Sequence, residues 1–170
     1  MAQSAVAKTN LDGTILIEDA TGVPLAHTVA YEEGDFSLED LAFGLGATSG
    51  PSELLKFEDR GTFYAARKGA RVYPKFKFSA HLTDVSDATD KLLLNAFLKT
   101  GAFAAGVSTL GASAEIWAVK ITLTIEGSNH GDATDHTVVM NNCYGVCGIS
   151  EGQPDMITVA GEVLGLITMT

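Results

Sequence analysis

Two stretches of this chain alternate strictly between apolar and polar residues, and this alternation constrains the fold more than any other feature. In residues 76–82, Phe76, Phe78, Ala80 and Leu82 alternate with Lys77, Ser79 and His81. In residues 117–126, Trp117, Val119, Ile121, Leu123 and Ile125 alternate with smaller or polar residues. Successive side chains of a strand point to opposite faces, so a period of two predicts strands with one buried face. The sequence therefore predicts a mainly β fold.

The other apolar segments predict further strands that pair in an antiparallel manner. Hairpins are predicted at residues 13–29 and 54–66, a short strand at 36–38, and longer strands at 136–146 and 157–168. No repeat or linker divides the chain. About eight strands then form a single domain over residues 1–170, an antiparallel β-sandwich or half-barrel with one flanking helix.

The flanking α-helix is predicted at about residues 87–100. Asp87 is its candidate N-cap, Leu93 to Leu98 carry an apolar stripe, and Gly101 is its candidate stop. The Gly/Pro-rich residues 44–52 predict a loop, and the Gly-rich residues 101–111 predict a segment that orders only on contact with neighbours. Gly161 and Gly165, inside the last strand, predict a bend or a close backbone approach.

Formal charge is segregated along the chain. The net charge is −10, with −8 in residues 1–55, +5 in residues 56–77 and −7 in the remainder. The acidic total argues against a protein that wraps nucleic acid or binds an anionic membrane, but not against a surface along which DNA slides. Segregation of this kind suits copies that meet acidic surface to basic surface. A single solvated basic hairpin is the alternative interpretation.

Residues with catalytic or metal-binding chemistry are sparse. His130 and His136 share a polar loop with Asp132 and Asp135, but their spacing matches no metal-ligand pattern, and a polar turn is the better interpretation. Cys143 and Cys147 would lie about 13 Å apart on an extended strand, too far for a disulfide, and are predicted to be buried thiols. The sequence contains no nucleophile elbow or phosphate loop. We therefore predict no enzymatic activity, no metal and no cofactor.

The sequence carries no pattern typical of export or membrane insertion. No apolar run approaches the roughly 20 residues that span a bilayer. Residues 1–10 contain one late lysine and no apolar core, unlike a signal peptide. The chain is expected to fold in a cytoplasm without a membrane partner.

Three stretches of the chain follow one another in a distinctive order: Tyr31-Glu-Glu-Gly-Asp-Phe36 leading to residues 55–61, residues 73–84 with the Leu-rich helix, and residues 121–127 with 142–145, closed by 150–155 and 157–163. In this order they resemble the tail tube (major tail) proteins of long, flexible-tailed bacteriophages. Together they span most of the chain. The resemblance implies a β-sandwich or half-barrel, six copies of which close into a ring with a continuous inner β-barrel. Rings of this family stack into a hollow tube, and the same fold serves contractile-phage tubes and the type VI secretion tube.

The resemblance also implies roles for two sets of residues. A loop or hairpin at residues 44–73 would contact the next ring, which makes its basic cluster the inter-subunit candidates: Lys56, Arg60, Arg67, Lys68, Arg71 and Lys75. The lumen is typically acidic in this family, and the C-terminal third, free of basic residues, supplies the lumen-facing candidates: Glu126, Asp132, Asp135, Glu151, Asp155 and Glu162. For each of these acids, the alternative interpretation is an ordinary solvent-exposed residue with no role in the lumen. A carboxylate-lined wall would repel phosphate and let DNA pass.

The expected function is therefore structural. The chain is expected to be a homo-hexameric virion protein of the tail, made in the host bacterial cytoplasm and assembled into a conduit for DNA ejection. Expected partners are other copies, the tape measure, terminator and baseplate or distal tail proteins, and DNA in transit. Two alternatives stay open: another virion β protein, such as a tail terminator or decoration domain, and a ligand-binding β-sandwich. The last would show exposed aromatic residues near loop tips.

Overall fold

The computed structural model describes residues 13–30, 36–41, 52–81, 93–127, 134–152 and 155–170. Within these ranges it contains one α-helix, α1 (Leu93–Leu98), and a 3₁₀ helix at Gly101–Ala105. The strands are β1 (Thr14–Glu18), β2 (Ala26–Ala30), β3 (Ser37–Glu39), β4 (Ser52–Asp59), β5 (Thr62–Arg71), β6 (Lys75–His81), β7 (Val119–Ile125), β8 (His136–Ser150), β9 (Met156–Val163) and β10 (Ile167–Met169). The predicted mainly β, antiparallel fold is confirmed.

The fifteen-residue strand β8 joins two halves of one antiparallel sheet. Its first half, residues 136–143, pairs with β7 on one edge and β10 on the other, and its second half, residues 143–150, pairs with β9. Pairing continues from β7 to β1 and β2, and from β9 to β6 and β3. We call β2, β1, β7, the first half of β8 and β10 the first layer. The second half of β8 with β9, β6 and β3 is the second layer.

Both layers contribute to one buried core, which makes the fold a sandwich. Fully buried side chains of the first layer include Ile15, Ile17 and Ile121, and those of the second include Phe76, Phe78 and Val159. Each such side chain stabilises the fold by roughly 1.5–3 kcal/mol. The predicted alternation is confirmed for residues 76–80 and 119–123, whereas Leu82 lies outside the described residues. Strand β7 begins at Val119, so Trp117 precedes the strand, and its indole nitrogen donates a 2.8 Å hydrogen bond to the Ala96 carbonyl oxygen.

Strands β8 and β9 approach most closely at two facing glycines. Gly145 and Gly161 are paired in register. A Cβ on Gly161 would overlap the carbonyl oxygen of Tyr144 and lie 2.6 Å from the Cα of Gly145. A Cβ on Gly145 would lie 2.9 Å from the Phe97 ring and 3.1 Å from the Phe76 ring, so these aromatic rings occupy the space above the glycines. The close approach predicted at Gly161 is confirmed.

The single strand predicted at residues 157–168 is interrupted at residues 164–166. A Cβ on Gly165 would lie 2.5 Å from the Asn141 carbonyl oxygen, and the Gly165 amide donates to that oxygen at 3.1 Å. Asn142 has a positive φ of 56°, which bends β8 at the same level. The prediction of one strand was therefore wrong in detail, because the backbone bends here and the pairing resumes as β10.

The predicted helix is confirmed over Leu93–Leu98, while the start assigned to Asp87 lies outside the described residues. Leu93, Ala96 and Phe97 are buried, and α1 contacts β2 and β8. The helix ends before Gly101, because Lys99 already has a left-handed φ of 53°. No helix in the described part of the chain is long and apolar enough to cross a membrane.

The segment from Gly101 to Gly111 differs from its prediction. It begins with the 3₁₀ helix, whose Phe103 side chain is fully buried. The Ala20 amide donates to the Val107 carbonyl oxygen at 2.9 Å, which ties the segment to the β1–β2 turn. The segment is therefore ordered by contacts within its own chain.

Candidate assembly interface

Strands β4 and β5 form a separate two-stranded hairpin between β3 and β6. The hairpin pairs from Ser52↔Arg71 to Asp59↔Thr62 and is not part of the larger sheet. Its ten-residue strand β5 is about 30 Å long. Every side chain described between residues 53 and 71 is exposed, except Ala65 and Gly69, which are half-buried. The hairpin therefore lies outside the core.

The hairpin turns through Arg60 and Gly61, which both have positive φ, 49° and 79°. Two positive φ values between paired residues define a type I′ turn, in which Asn, Asp and Gly are preferred at the first central position. Arg60 occupies this position although it is uncommon in the left-handed region. The turn thus places a guanidinium at the tip of the hairpin, at some cost in backbone strain.

Large apolar side chains cover both faces of the hairpin. They are 45% to 78% exposed: Leu54, Leu55, Phe57, Phe63 and Tyr64. Two adjacent residues of a strand point to opposite faces. The pairs Leu54-Leu55 and Phe63-Tyr64 thus indicate a hairpin that is apolar on both faces. The prediction from the sequence included the hairpin but not this property.

The structure brings five of the six basic candidates onto this hairpin. Across the strands Lys68 faces Leu54 and Arg67 faces Leu55, while Lys56 faces Ala66 and Arg60 is at the tip. Arg71 lies at the base, 4.7 Å from the centre of the Tyr73 ring. Lys75 instead begins β6, in the second layer. The inter-subunit role of these residues stays a prediction.

The acidic candidates do not form one patch. Asp135 accepts from the Gly127 amide at 3.1 Å at one end of β8, next to Glu126. Asp155 accepts from the Gly152 amide at 2.9 Å at the other end, beside Glu151. Fifteen residues of β8 lie between the two ends, about 50 Å when measured along the strand. Asp132 lies outside the described residues, and the exposed Glu162 is on β9. Their lumen-facing role stays a prediction.

The second layer has two open edges among the described strands. Cys143 pairs with both β7 and β9, so these strands lie on opposite edges of β8. Beyond Cys143, β8 keeps its β9 partner and has no described strand on the β7 side. At the other end of the layer, β3 pairs with β6 alone among the described strands. Val146 and Ile149, on the part of β8 that pairs with β9 alone, are 60% and 61% exposed.

The outward face of the second layer holds a shallow concavity of about 390 Å³. Its lining includes Glu39, Lys75, Lys77, Ala160 and Glu162. Lys75 lies directly opposite Glu39 on one side and Glu162 on the other, and Lys77 lies opposite Ala160. The concavity is open because Ala160, which lies on the outward face opposite Lys77, has a small side chain.

Both thiols are free, as predicted, with Cys143 buried and Cys147 half-buried. Burial raises the pKa of the Cys147 thiol to about 11, and raises that of Cys143 further. The Cys143 thiol donates to the Met140 carbonyl oxygen at 3.4 Å. Among the described residues no three metal-ligand side chains lie together, and His130 is outside them.

The raised thiol pKa predicts a loss of stability at high pH. In the unfolded chain the thiol titrates near pH 8.5, below its pKa in the folded protein. Below about pH 8.5 the thiol is neutral in both states, and its burial contributes its full stabilisation to the fold. We expect the stabilisation to decline from about pH 8.5 to 11. Urea unfolding of wild type and Cys147→Ala across this range measures it, and a wild-type pH slope equal to that of Cys147→Ala would contradict the assignment.

The sequence matches no protein-family model and no curated protein. The structure is similar along the whole chain to several solved chains. One comes from a structure of the anti-feeding prophage baseplate (TM-score 0.51, 9% identity, covering 100% of this chain and 97% of that chain). A second comes from a structure of the anti-feeding prophage tube terminating cap (TM-score 0.52, 8% identity, covering 100% of this chain and 93% of that chain). A third comes from a structure of the PVC sheath/tube terminator of an extracellular contractile injection system (TM-score 0.51, 8% identity, covering 100% of this chain and 98% of that chain).

At such low identity these similarities show the fold alone. The fold is a mainly β sandwich with one helix, shared over its full length with components of phage-tail-like particles. On this fold the chain carries an exposed apolar and basic hairpin, and the second layer has two open edges among the described strands.

Proposed function

We propose that this chain is the tube subunit of a phage-tail-like particle and assembles into stacked hexameric rings. The observation that carries the proposal is the hairpin β4–β5, whose apolar side chains are solvent-exposed on both faces. An isolated two-stranded hairpin is at best marginally stable in water. Its exposed Leu, Phe and Tyr side chains are the kind that anchor interfaces. A hairpin of this composition is completed by a partner surface.

Another copy of the chain suits that surface. The hairpin carries five basic residues against the three acids Glu53, Glu58 and Asp59, whereas the whole chain has a net charge of −10. A basic extension on an acidic protein is attracted to the body of a second copy. A contact between two different surfaces of the same protein is heterologous, and repeats from copy to copy. Repeated along one axis, it produces a stack.

Ring closure is supported by the open edges of the second layer. An unpaired edge carrying exposed apolar side chains favours pairing with another strand. If β3 of one copy pairs with the second half of β8 of the next, the second layers form one continuous sheet. The hairpin follows β3 and precedes β6, two neighbouring strands, so it extends from one end of that sheet toward the next ring.

A tail terminator is the second candidate. Two of the similar chains come from structures of a tube terminating cap and of a sheath/tube terminator. A terminator would form a single ring at the end of a tube and would not polymerise. For both candidates, tube subunit and terminator, the proposed location is the tail of a virion or a related particle. The proposed partners are other tail proteins, and the proposed role is structural without enzymatic activity.

Electron microscopy with light scattering at rising protein concentration tests the proposal. We expect wild type to form hollow rings and tubes. The double variant Phe57→Ser/Phe63→Ser should need at least about tenfold more protein to assemble, because each Phe contributes roughly 1.5–3 kcal/mol on burial. Val23→Ser is the matched control, since Val23 is 86% exposed on the β1–β2 turn.

The outcomes separate the candidates. Single closed rings at every concentration favour the terminator. A wild-type protein that stays monomeric, or a double variant that assembles like Val23→Ser, contradicts the proposal.

A further inference from the structure

We infer that the outward face of the second layer is the bore wall of the tube, and that its lysines are neutralised there by Glu39 and Glu162. The inference rests on the proposed function. The outward face is defined by alternation along β6 and β9. Phe76, Phe78 and Val159 point into the core, while the residues between them point outward.

The geometry of ring closure decides which face lines the bore. Six copies of a four-stranded layer, with strands about 4.8 Å apart, give a circumference of about 115 Å and a radius near 18 Å. The core face of this layer is covered by α1, whose Phe97 packs near Phe76 and Phe78, and by the first layer, which shares the same buried core. Packed sheets lie about 10 Å apart. If the first layer lay inside, its backbone and side chains would nearly fill the bore. An open bore therefore requires the first layer outside and the outward face of the second layer inside.

The charges on this face are balanced by register. Lys75 lies between Glu39 and Glu162 in adjacent strands, and directly opposite side chains have Cβ atoms about 5 Å apart. Lys77 lies on the same face, two residues along β6 and diagonal to both acids. The nearby outward residues Ser79, Thr158 and Val146 carry no charge. Two lysines and two glutamates thus leave this part of the wall without net charge.

This balance suits a polyanion in transit. Six copies would present twelve lysines to the bore, and lysines that neutralise phosphates give strong, salt-dependent DNA binding. The two glutamates lie beside the two lysines in register and offset their charge, which lowers the attraction of the wall for DNA. Of the six acids expected from the sequence, Glu162 alone lies on this face among those described. We therefore infer a neutralised wall in place of a uniformly acidic one.

Cysteine labelling locates the wall. Ser79→Cys and Thr122→Cys, both in a Cys147→Ala background, place half-buried thiols on the outward faces of the second and first layers. In assembled tubes, Ser79→Cys should react with a small maleimide but not with a maleimide on a polymer too large to enter the bore. Thr122→Cys should react with both. The reverse pattern overturns this inference alone, whereas a chain that never assembles overturns the proposed function and this inference with it.

DNA retention tests the charge balance. Tubes of Glu39→Gln/Glu162→Gln, pelleted with a short fluorescent duplex at about 50 mM salt, should retain at least tenfold more DNA than wild type and release it near 200 mM. Glu18→Gln/Glu115→Gln removes the same charge outside the second layer, including the ion-pair partner of Lys120, and should retain no more DNA than wild type. Equal retention by the two double variants overturns the inference. If the first pair prevents assembly, Glu162→Gln alone is compared with Glu115→Gln by the same criterion.

Discussion

Replacing Gly161 by alanine should destabilise the fold by about 3 kcal/mol or more. The added Cβ would overlap the Tyr144 carbonyl oxygen and approach the Gly145 Cα to 2.6 Å. Overpacking normally costs about 1–3 kcal/mol, and it exceeds this range when no side chain can move aside. Here the obstructing atoms belong to the backbone of β8, and Phe76 lies above them. Relief would require β8 and β9 to separate in the middle of the second layer.

Urea unfolding, followed by fluorescence of the single Trp117, measures this cost. Gly148→Ala is the matched control, because Gly148 is also in β8 and a Cβ there would meet nothing within 4 Å. The control should be unchanged or up to about 1 kcal/mol more stable, since glycine weakens a strand. A Gly161→Ala protein that unfolds at the wild-type urea concentration would show that β8 and β9 are not held this close.

The strands that pack on the core could be predicted from the sequence, because burial imposes its period on the residues. Phe76 to Ala80 and Val119 to Leu123 alternate as their strands do. The break before β10 could not be placed, because it depends on the close approach of Gly165 to Asn141, far away in sequence. Gly165 indicated a bend or a close backbone approach, but the sequence did not show which segment of the backbone lies next to it.

The candidate interface was only partly predictable for a related reason. The hairpin and its basic residues were visible in the sequence, whereas its exposure on both faces was not, because adjacent apolar residues also occur in strands buried on both faces. The charge balance on the outward face of the second layer was not visible either, because it depends on the register that sets Lys75 between Glu39 and Glu162. Charge totals by segment do not show which charges lie next to each other on adjacent strands.

Replacing Asp19 by alanine should cost about 3 kcal/mol, the second large effect. Its buried carboxylate accepts hydrogen bonds from the Leu25 amide at 2.8 Å, the Thr21 hydroxyl at 2.8 Å and amide at 3.3 Å, and the Val107 amide at 3.0 Å. Hydrogen bonds to a charged group contribute about 1.5–3 kcal/mol, and donors left without a partner add their desolvation cost. The stability of Asp19→Asn should fall between those of wild type and Asp19→Ala. The amide keeps one acceptor oxygen but directs its NH₂ group toward N–H donors.

Asp155→Ala is the control, because the exposed Asp155 accepts one hydrogen bond from the described residues, donated by the Gly152 amide, and its loss should cost less than about 1 kcal/mol. Hydrogen exchange gives a second readout that a general loss of stability would not produce. In Asp19→Ala, exchange should rise first at Ala20 and Val107, whose pairing holds the segment after the 3₁₀ helix against the β1–β2 turn. An increase in hydrogen exchange that is equal at all amides of Asp19→Ala would contradict this role. If exchange rises first at these two residues, the buried Asp19 carboxylate accounts for the order of a Gly-rich segment almost ninety residues away in the sequence.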